Sequence, residues 1–161
     1  MTEANTTPGF HMRRRDREIT DAEKLKEILK KSTVCHLGLA DGGEPYVVPV
    51  NFGYDNGCIY FHSAQSGHKI DLLKKNPRVC FEVDTDLQIL KTEKNNCQVN
   101  YRSLIGRGKA VFLENAEEKA RALKVIMRQC AGFEYDIPSY LDRTAVVRIE
   151  IESLTGKQAG Y

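Results

Sequence analysis

The stretch from His62 to Ile70 carries the residue types that point most directly to chemistry. It lies where the pattern predicts that a strand ends and a helix begins, and the first N–H groups of a helix have no internal partner and carry partial positive charge. Ser63 adds a hydroxyl, Gly67 lets a ligand approach the backbone, and Lys69 adds a full charge. Together they predict a phosphate site, while a serine-capped helix with solvated side chains is the alternative.

The segment PYVVPVNFGY (45–54) gives a second signal. Pro49 cannot donate a hydrogen bond to a sheet, so it marks an edge, a bulge or a place where the strand faces something other than another strand. A planar polar ring could fill that place, with its flat face on Val50 and Phe52. The alternative is an edge strand that tolerates a proline.

The other polar side chains give weaker signals. Arg102, between Tyr101 and Ser103, could pair with a phosphate or stack on a ring, and a solvated arginine is the alternative. Glu82 and Asp84 share the polar face of a strand, which is typical of a solvent-facing surface. The sequence contains no recognisable Ser/His/Asp arrangement, catalytic carboxylate pair or nicotinamide fingerprint.

The cysteines and histidines predict neither a redox site nor a metal site. Five cysteines occur singly, without a C-x-x-C pair, so we expect reduced and mostly buried thiols in a reducing compartment. The histidines do not fall at metal-ligand spacings. They are His11, His36, His62 and His68.

Length and composition are those of one globular domain. The 161 residues are 41% hydrophobic and 29% charged, with a formal net charge of +2, which gives no electrostatic case for a nucleic-acid binder. No apolar run is long enough for a membrane span, and the first residues do not resemble a secretion signal. We therefore predict a cytoplasmic protein with a disordered leader at 1–12, a single domain at 13–161, and neither nucleic-acid nor membrane partners.

The first half of the chain predicts a helix followed by hairpins. Thr20 to Glu23 reads as a capping box that begins a helix over 21–31. Strands are predicted at 33–40 and 45–54, joined by an Asp-Gly-Gly turn. Asn56-Gly57, a strong hairpin signal, leads into a further strand at 58–64.

The second half alternates helices and strands. We predict a helix at about 67–75, a strand at 79–83, a strand at 103–114 bent at its glycines, a helix capped by Asn115, and a last strand around 147–151. Residues 84–100 are ambiguous between strand ends with a loop and a short helix. About six strands joined mainly by hairpins predict a mainly β fold: a small antiparallel barrel with flanking helices.

The order of these segments resembles a known family. RRRDREITD, the long segment from PYVVPVNFGY to VCFEVD, YRSLIGRGKAVFLE, and a last strand running into LTGKQ resemble the Nim-type nitroimidazole-resistance proteins. These belong to the pyridoxamine 5′-phosphate oxidase-like, FMN-binding split-barrel superfamily, and the resemblance covers roughly residues 12–158. It implies a six-stranded antiparallel split barrel and a homodimer that binds FMN at its interface.

The resemblance also assigns site residues by position. Those expected to line the isoalloxazine ring are Pro49, Val50, Asn51 and Phe52. Those expected at the ribityl chain and phosphate are His62, Ser63, Gly67, His68 and Lys69. Those expected from the neighbouring strand, around the interface, are Tyr101, Arg102 and Ser103. His62 is the side chain expected to donate a proton or to contact the substrate.

The implied activity is FMN-dependent reduction of a small nitro-aromatic acceptor such as a 5-nitroimidazole. A flavin-binding redox sensor or carrier without turnover, and a haem-handling split barrel, are the alternatives. The sequence lacks tryptophan and the C-terminal Arg-Leu-x-Pro type stretch of true pyridoxamine phosphate oxidases, which disfavours vitamin B6 oxidation. His68 stands where the family often has arginine, so we expect weaker FMN binding that falls as pH rises.

Overall fold

The computed structural model describes residues 12–93, 96–133 and 141–161. The helices are α1 (Ala22–Lys31), α2 (His68–Lys75) and α3 (Ala116–Ala131). The strands are β1 (Glu18–Ile19), β2 (Val34–Asp41), β3 (Glu44–Asn51), β4 (Gly53–Asp55), β5 (Cys58–Ala64), β6 (Arg78–Lys91), β7 (Cys97–Phe112) and β8 (Thr144–Ala159). Short 3₁₀ turns lie at Arg15–Arg17 and Leu141–Arg143. None of the helices described is long and apolar enough to cross a membrane.

The strands form one antiparallel sheet in the order β3-β2-β6-β7-β8-β5-β4, and β1 adds to β8. The end strands β3 and β4 follow each other in the chain and are not paired with one another within the described ranges. The barrel is therefore split between them, as predicted. The part of the chain that the structure describes has eight strands rather than six, partly because the predicted strand 45–54 divides at Phe52, whose N–H donates to the Thr33 carbonyl at 3.2 Å.

Apolar side chains fill the barrel. Phe52 and Phe61 have no exposed surface, and Phe81 is 1% exposed. Helix α1 adds Leu29 to this core, while Leu123 of α3 belongs to a second, smaller cluster. The alternation of buried and exposed residues along β2, β5 and β6 keeps the polar side chains on the outer face, where a ligand can reach them.

Several predicted local signals are confirmed, and one is shifted. Asn56 and Gly57 have φ values of 47° and 77° and form the turn between β4 and β5. Asn115 caps α3 as predicted. The cap of α1 is Asp21 rather than Thr20: the Glu23 N–H donates to Asp21 Oδ1 at 2.9 Å, because a carboxylate is the stronger acceptor at a helix N-terminus.

The ambiguous stretch 84–100 is largely strand, so the short-helix alternative is wrong for the part that the structure describes. β6 runs on to Lys91 and β7 starts at Cys97. A register shift between Thr85 and Gln88 interrupts the pairing, where Asp86 has φ 58°. The bend predicted at the glycines of β7 is confirmed by a register shift at Arg107/Gly108 against β8.

The prediction that the cysteines are mostly buried is wrong. Cys35 alone is buried, Cys58 and Cys130 are partly buried, and Cys80 and Cys97 are exposed. Cys80 lies on the outward face of β6, which the alternation of a half-buried strand leaves exposed to solvent. Cys97 is the first residue of β7 and is also exposed. The predicted leader at 1–12 falls outside the described residues except for Met12.

Candidate functional site

A cavity of about 450 Å³ opens between β3, β5, the start of α2 and the start of β8. Six of the predicted site residues line it: Pro49, Val50, Asn51, His62, Ser63 and Lys69. The other lining residues are Ala64, Arg143 and Thr144. Its volume lies in the range of small-molecule sites in proteins, roughly 300–1,000 Å³.

The split of the barrel forms one wall of this cavity. β3 is an end strand that pairs with β2 alone among the described strands. Half of its backbone N–H and C=O groups therefore lack a strand partner and face the gap. Pro49 is tolerated there because an edge position does not need its N–H. This wall can bind a planar, polar ring through backbone groups.

The N-terminus of α2 forms another wall. Gly67 has φ 126°, a conformation that side chains rarely adopt, and its carbonyl accepts from the N–H groups of Ile70 and Asp71 at 2.9 and 3.1 Å. The N–H groups of His68 and Lys69 belong to the first turn, where a helix provides no intrahelical acceptor, and no side chain within the described ranges caps this helix. Together with the Lys69 side chain they form an anion-binding end of the cavity.

His62 projects from β5 into the cavity and stays partly open to solvent. Partial desolvation of the ring lowers the pKa of His62 below its usual 6.5. Its side chain is therefore mainly neutral at pH 7, and a neutral imidazole can both accept and donate a hydrogen bond.

His68 lies at the first turn of α2 but turns toward the β2–β3 hairpin. Its ring meets that of Tyr46 edge-on, with centroids 4.7 Å apart. Its Nε2 is 3.9 Å from Asp41 Oδ2. The side chain of His68 therefore packs against the β2–β3 hairpin at the rim of the cavity, and its backbone N–H belongs to the anion-binding end.

The structure places the remaining predicted residues elsewhere. Phe52 is fully buried in the barrel core. Tyr101, Arg102 and Ser103 lie on β7, outside this cavity. Arg102 donates to Asp86 at 3.0 Å. A single chain therefore does not bring the β7 residues to the cavity.

Three cavity residues were not among the predicted site residues: Ala64, which lies within the segment from His62 to Ile70, and Arg143 and Thr144, which lie outside it. Thr144 pairs with Ala64 across β5 and β8, and Arg143 precedes it in the 3₁₀ turn. The Gln65 side chain donates to the Asp142 carbonyl, which fixes this turn beside the loop that leads into α2. Arg143 adds a second cation, besides Lys69, to the lining of the cavity. The sequence held no signal for it, since only the long-range pairing of β8 with β5 brings it there.

This combination defines a class: an open antiparallel barrel with a cavity at its split and an anion-binding helix end. The sequence model for pyridoxamine 5′-phosphate oxidase matches residues 21–158. The chain belongs to this pyridoxamine 5′-phosphate oxidase family. No curated protein is a significant match.

Solved structures agree with this membership. The "putative 5-nitroimidazole antibiotic resistance protein" of Bacteroides thetaiotaomicron is 31% identical over 88% of this chain and 86% of its own, with a TM-score of 0.80. A flavocytochrome from Azotobacter vinelandii (22% identity, 94% and 73% coverage, TM-score 0.76) has the same fold. So does an FAD-binding protein from Mesorhizobium loti (24% identity, 89% and 98% coverage, TM-score 0.68).

Proposed function

We propose that this protein binds FMN in the cavity at the split of the barrel and reduces small nitro-aromatic compounds, of which 5-nitroimidazoles are the model substrate class. The observation that carries the proposal is the cavity itself, which combines an edge strand, a histidine whose pKa is lowered by partial desolvation, and an uncapped helix N-terminus. Family membership supports it, as does similarity to structures described as a nitroimidazole-resistance protein and an FAD-binding protein.

The residues present fit a flavin mononucleotide at both ends of the cavity. The phosphate would be held by the N–H groups of His68 and Lys69, the Lys69 ammonium, the Arg143 guanidinium and the Ser63 hydroxyl. The flat ring would lie along β3, where Val50 and Asn51 line the cavity and free backbone groups can meet its polar edge.

His62 is the residue that we place beside the acceptor. Reduction of a nitro group to an amine consumes six electrons and six protons and releases two water molecules. When bound, the reduced flavin supplies the electrons, drawn from an external reductant. A neutral His62 can hydrogen-bond a nitro oxygen and pass a proton to it, and solvent at the open mouth of the cavity reprotonates the ring.

A homodimer is part of the same proposal. The far hairpin of the sheet, formed by the end of β6 and the start of β7, carries large apolar side chains with 40–71% of their surface exposed, namely Leu87, Ile89 and Val99, of which Ile89 and Val99 are cross-strand partners. Clustered exposed apolar surface is typical of interaction sites. A partner seated there would bring its own Tyr101, Arg102 and Ser103 toward the cavity, which a single chain leaves apart.

The test is turnover by the FMN-loaded protein under anaerobic conditions, with an excess of a chemical or enzymatic flavin reductant and a 5-nitroimidazole as acceptor. We expect multiple turnovers to the amine, detected by mass spectrometry. His62→Ala should lower kcat more than FMN affinity. His68→Ala is the matched control, because the His68 side chain contacts Tyr46 and Asp41 outside the cavity and alanine keeps the backbone N–H, so kcat and FMN affinity should both change little.

The rival function is a flavin-binding sensor or carrier without turnover. It predicts that FMN binds and is reduced but that the nitro compound disappears no faster than with free FMN at the same concentration. That result would refute the reductase proposal and leave the flavin site standing. Equal losses of kcat and FMN affinity in His62→Ala would make His62 a structural residue.

A further inference from the structure

We propose that His36, Glu82 and Asp84 form a binding site for a divalent transition-metal ion on the outer face of the barrel. One donor atom from each side chain lies within 4.8 Å of the other two. An imidazole nitrogen with carboxylate oxygens is a donor set that binds Zn²⁺ and neighbouring first-row ions. The site lies outside the cavity described above, and its test does not depend on flavin binding.

The backbone under the three side chains is fixed by the sheet. His36 of β2 is the cross-strand partner of Glu82 on β6. Asp84 lies two residues farther along β6 and shares the same face, because side chains alternate along a strand. Phe81 and Val83, which alternate with the two carboxylates, are buried in the core. Only side-chain rotations are therefore needed to complete the site.

The separation of two donors already suits a metal ion. His36 Nδ1 lies 3.2 Å from Glu82 Oε2. In a tetrahedral site with bonds of about 2.0–2.2 Å, neighbouring donors are roughly 3.3–3.6 Å apart. An ion can therefore replace the hydrogen bond between these two side chains with little movement. Rotation of the Asp84 carboxylate supplies the third donor, and water can supply the fourth.

The charge of the cluster favours a cation. Asp84 makes no hydrogen bond or ion pair within the ranges that the structure describes. Two nearby cations pair with other carboxylates: Arg102 of β7 binds Asp86 at 3.0 Å, and Arg78 of β6 binds Glu152 at 3.1 Å. The cluster therefore holds two carboxylates, of which only Glu82 contacts the imidazole, and a divalent ion would neutralise both charges.

The spacing of the histidines in the sequence predicts no metal site, and the fold explains the difference. His36 and Glu82 are 46 residues apart and meet only because β2 pairs with β6. Ligand-spacing rules detect sites built within one turn or hairpin and miss those assembled across strands.

Calorimetric titration of the chelator-treated full chain with Zn²⁺ tests the proposal, with and without a competing chelator. We expect one tight site per chain. His36→Ala and Asp84→Asn should each weaken binding by at least about tenfold, since even groups that only support a ligand contribute roughly 10–100-fold. Cys80→Ser is the matched control, because this exposed thiol lies on the same strand two residues before Glu82.

Two further readouts separate metal binding from structural effects. The melting temperatures of the metal-free variants should match that of the wild type, while Zn²⁺ should stabilise the wild type and Cys80→Ser alone. Co²⁺ bound to the wild type should show no thiolate charge-transfer band. Absence of Zn²⁺ binding, unchanged affinity in both His36→Ala and Asp84→Asn, or loss of the site in Cys80→Ser would each overturn the proposal.

Discussion

Replacing Lys69 with glutamine should weaken FMN binding while leaving riboflavin binding unchanged. Riboflavin lacks the phosphate but carries the same ring and ribityl chain, so it reports on the rest of the cavity. Lys69 lines the cavity beside the uncapped N-terminus of α2. The variant removes the charge and keeps most of the side-chain length.

The size of the effect follows from the surroundings of Lys69. A hydrogen bond to a charged group contributes about 1.5–3 kcal/mol. The lower end applies here, because the side chain is only partly buried and the cavity is open to solvent. Moreover, in the proposed site Arg143 and the helix N–H groups would still contact the phosphate. A loss of about 1.5 kcal/mol corresponds to a roughly tenfold higher Kd.

The assay is titration of each protein into flavin, followed by fluorescence anisotropy or quenching. Lys74→Gln is the matched control, because Lys74 belongs to the last turn of the same helix and does not line this cavity. We expect Lys69→Gln to lose about tenfold for FMN, and Lys74→Gln to bind both flavins like the wild type. An equal loss of FMN and riboflavin in Lys69→Gln, or an equal effect in Lys74→Gln, would refute the placement of the phosphate.

Three further predictions concern the fold and the cavity. Gly106→Ala should lower the free energy of unfolding by roughly 1–3 kcal/mol, because its Cβ would lie 2.1 Å from the buried ring of Phe81; urea unfolding measures this. Because the pKa of His62 is lower in the folded chain than in the unfolded chain, the unfolded chain binds more protons at acidic pH. The contribution of His62 to the free energy of unfolding is therefore complete above pH 6.5 and is lost as pH falls through the folded pKa. Urea midpoints measured across that pH range test this. Burial raises the pKa of Cys35 to about 12, so native protein should be alkylated at Cys80 long before Cys35, as mass spectrometry would show.

Each of these predictions has a control. Gly38→Ala should cost little, since its added Cβ meets nothing nearer than 3.4 Å; an equal loss in both variants would contradict the close-contact argument. His62→Gln should flatten the acid side of the stability profile, and an unchanged profile would assign the pH dependence to other groups. Cys97 should react as readily as Cys80, because both are exposed; early alkylation of Cys35 would contradict its burial.

The sequence predicted the parts of the fold that depend on short-range signals. The Asn56-Gly57 turn, the Asn115 cap and the strand-to-helix transition at His62–Lys69 each depend on neighbouring residues, and the structure has all three. The stretch 84–100 could not be resolved, because its polar composition hides a pairing that is interrupted where Asp86 adopts a positive φ.

The candidate site divides in the same way. Ser63 and Lys69 could be found because they lie within one short segment. Arg143 could not, because it reaches the cavity through the pairing of β8 with β5. Phe52 was expected to line a ring, but the chain passes from β3 to β4 at this residue and its side chain enters the core. The roles of these residues as cofactor ligands stay a prediction.

The measurement that tests the central claim most directly is the visible spectrum of the purified full chain after incubation with FMN and exhaustive dialysis, with total protein and flavin quantified. The proposed site predicts that flavin absorbance is retained at about one FMN per chain and that the melting temperature rises with added FMN, as binding to the folded state requires. A colourless protein whose melting temperature is unaffected by FMN would contradict the account of the cavity.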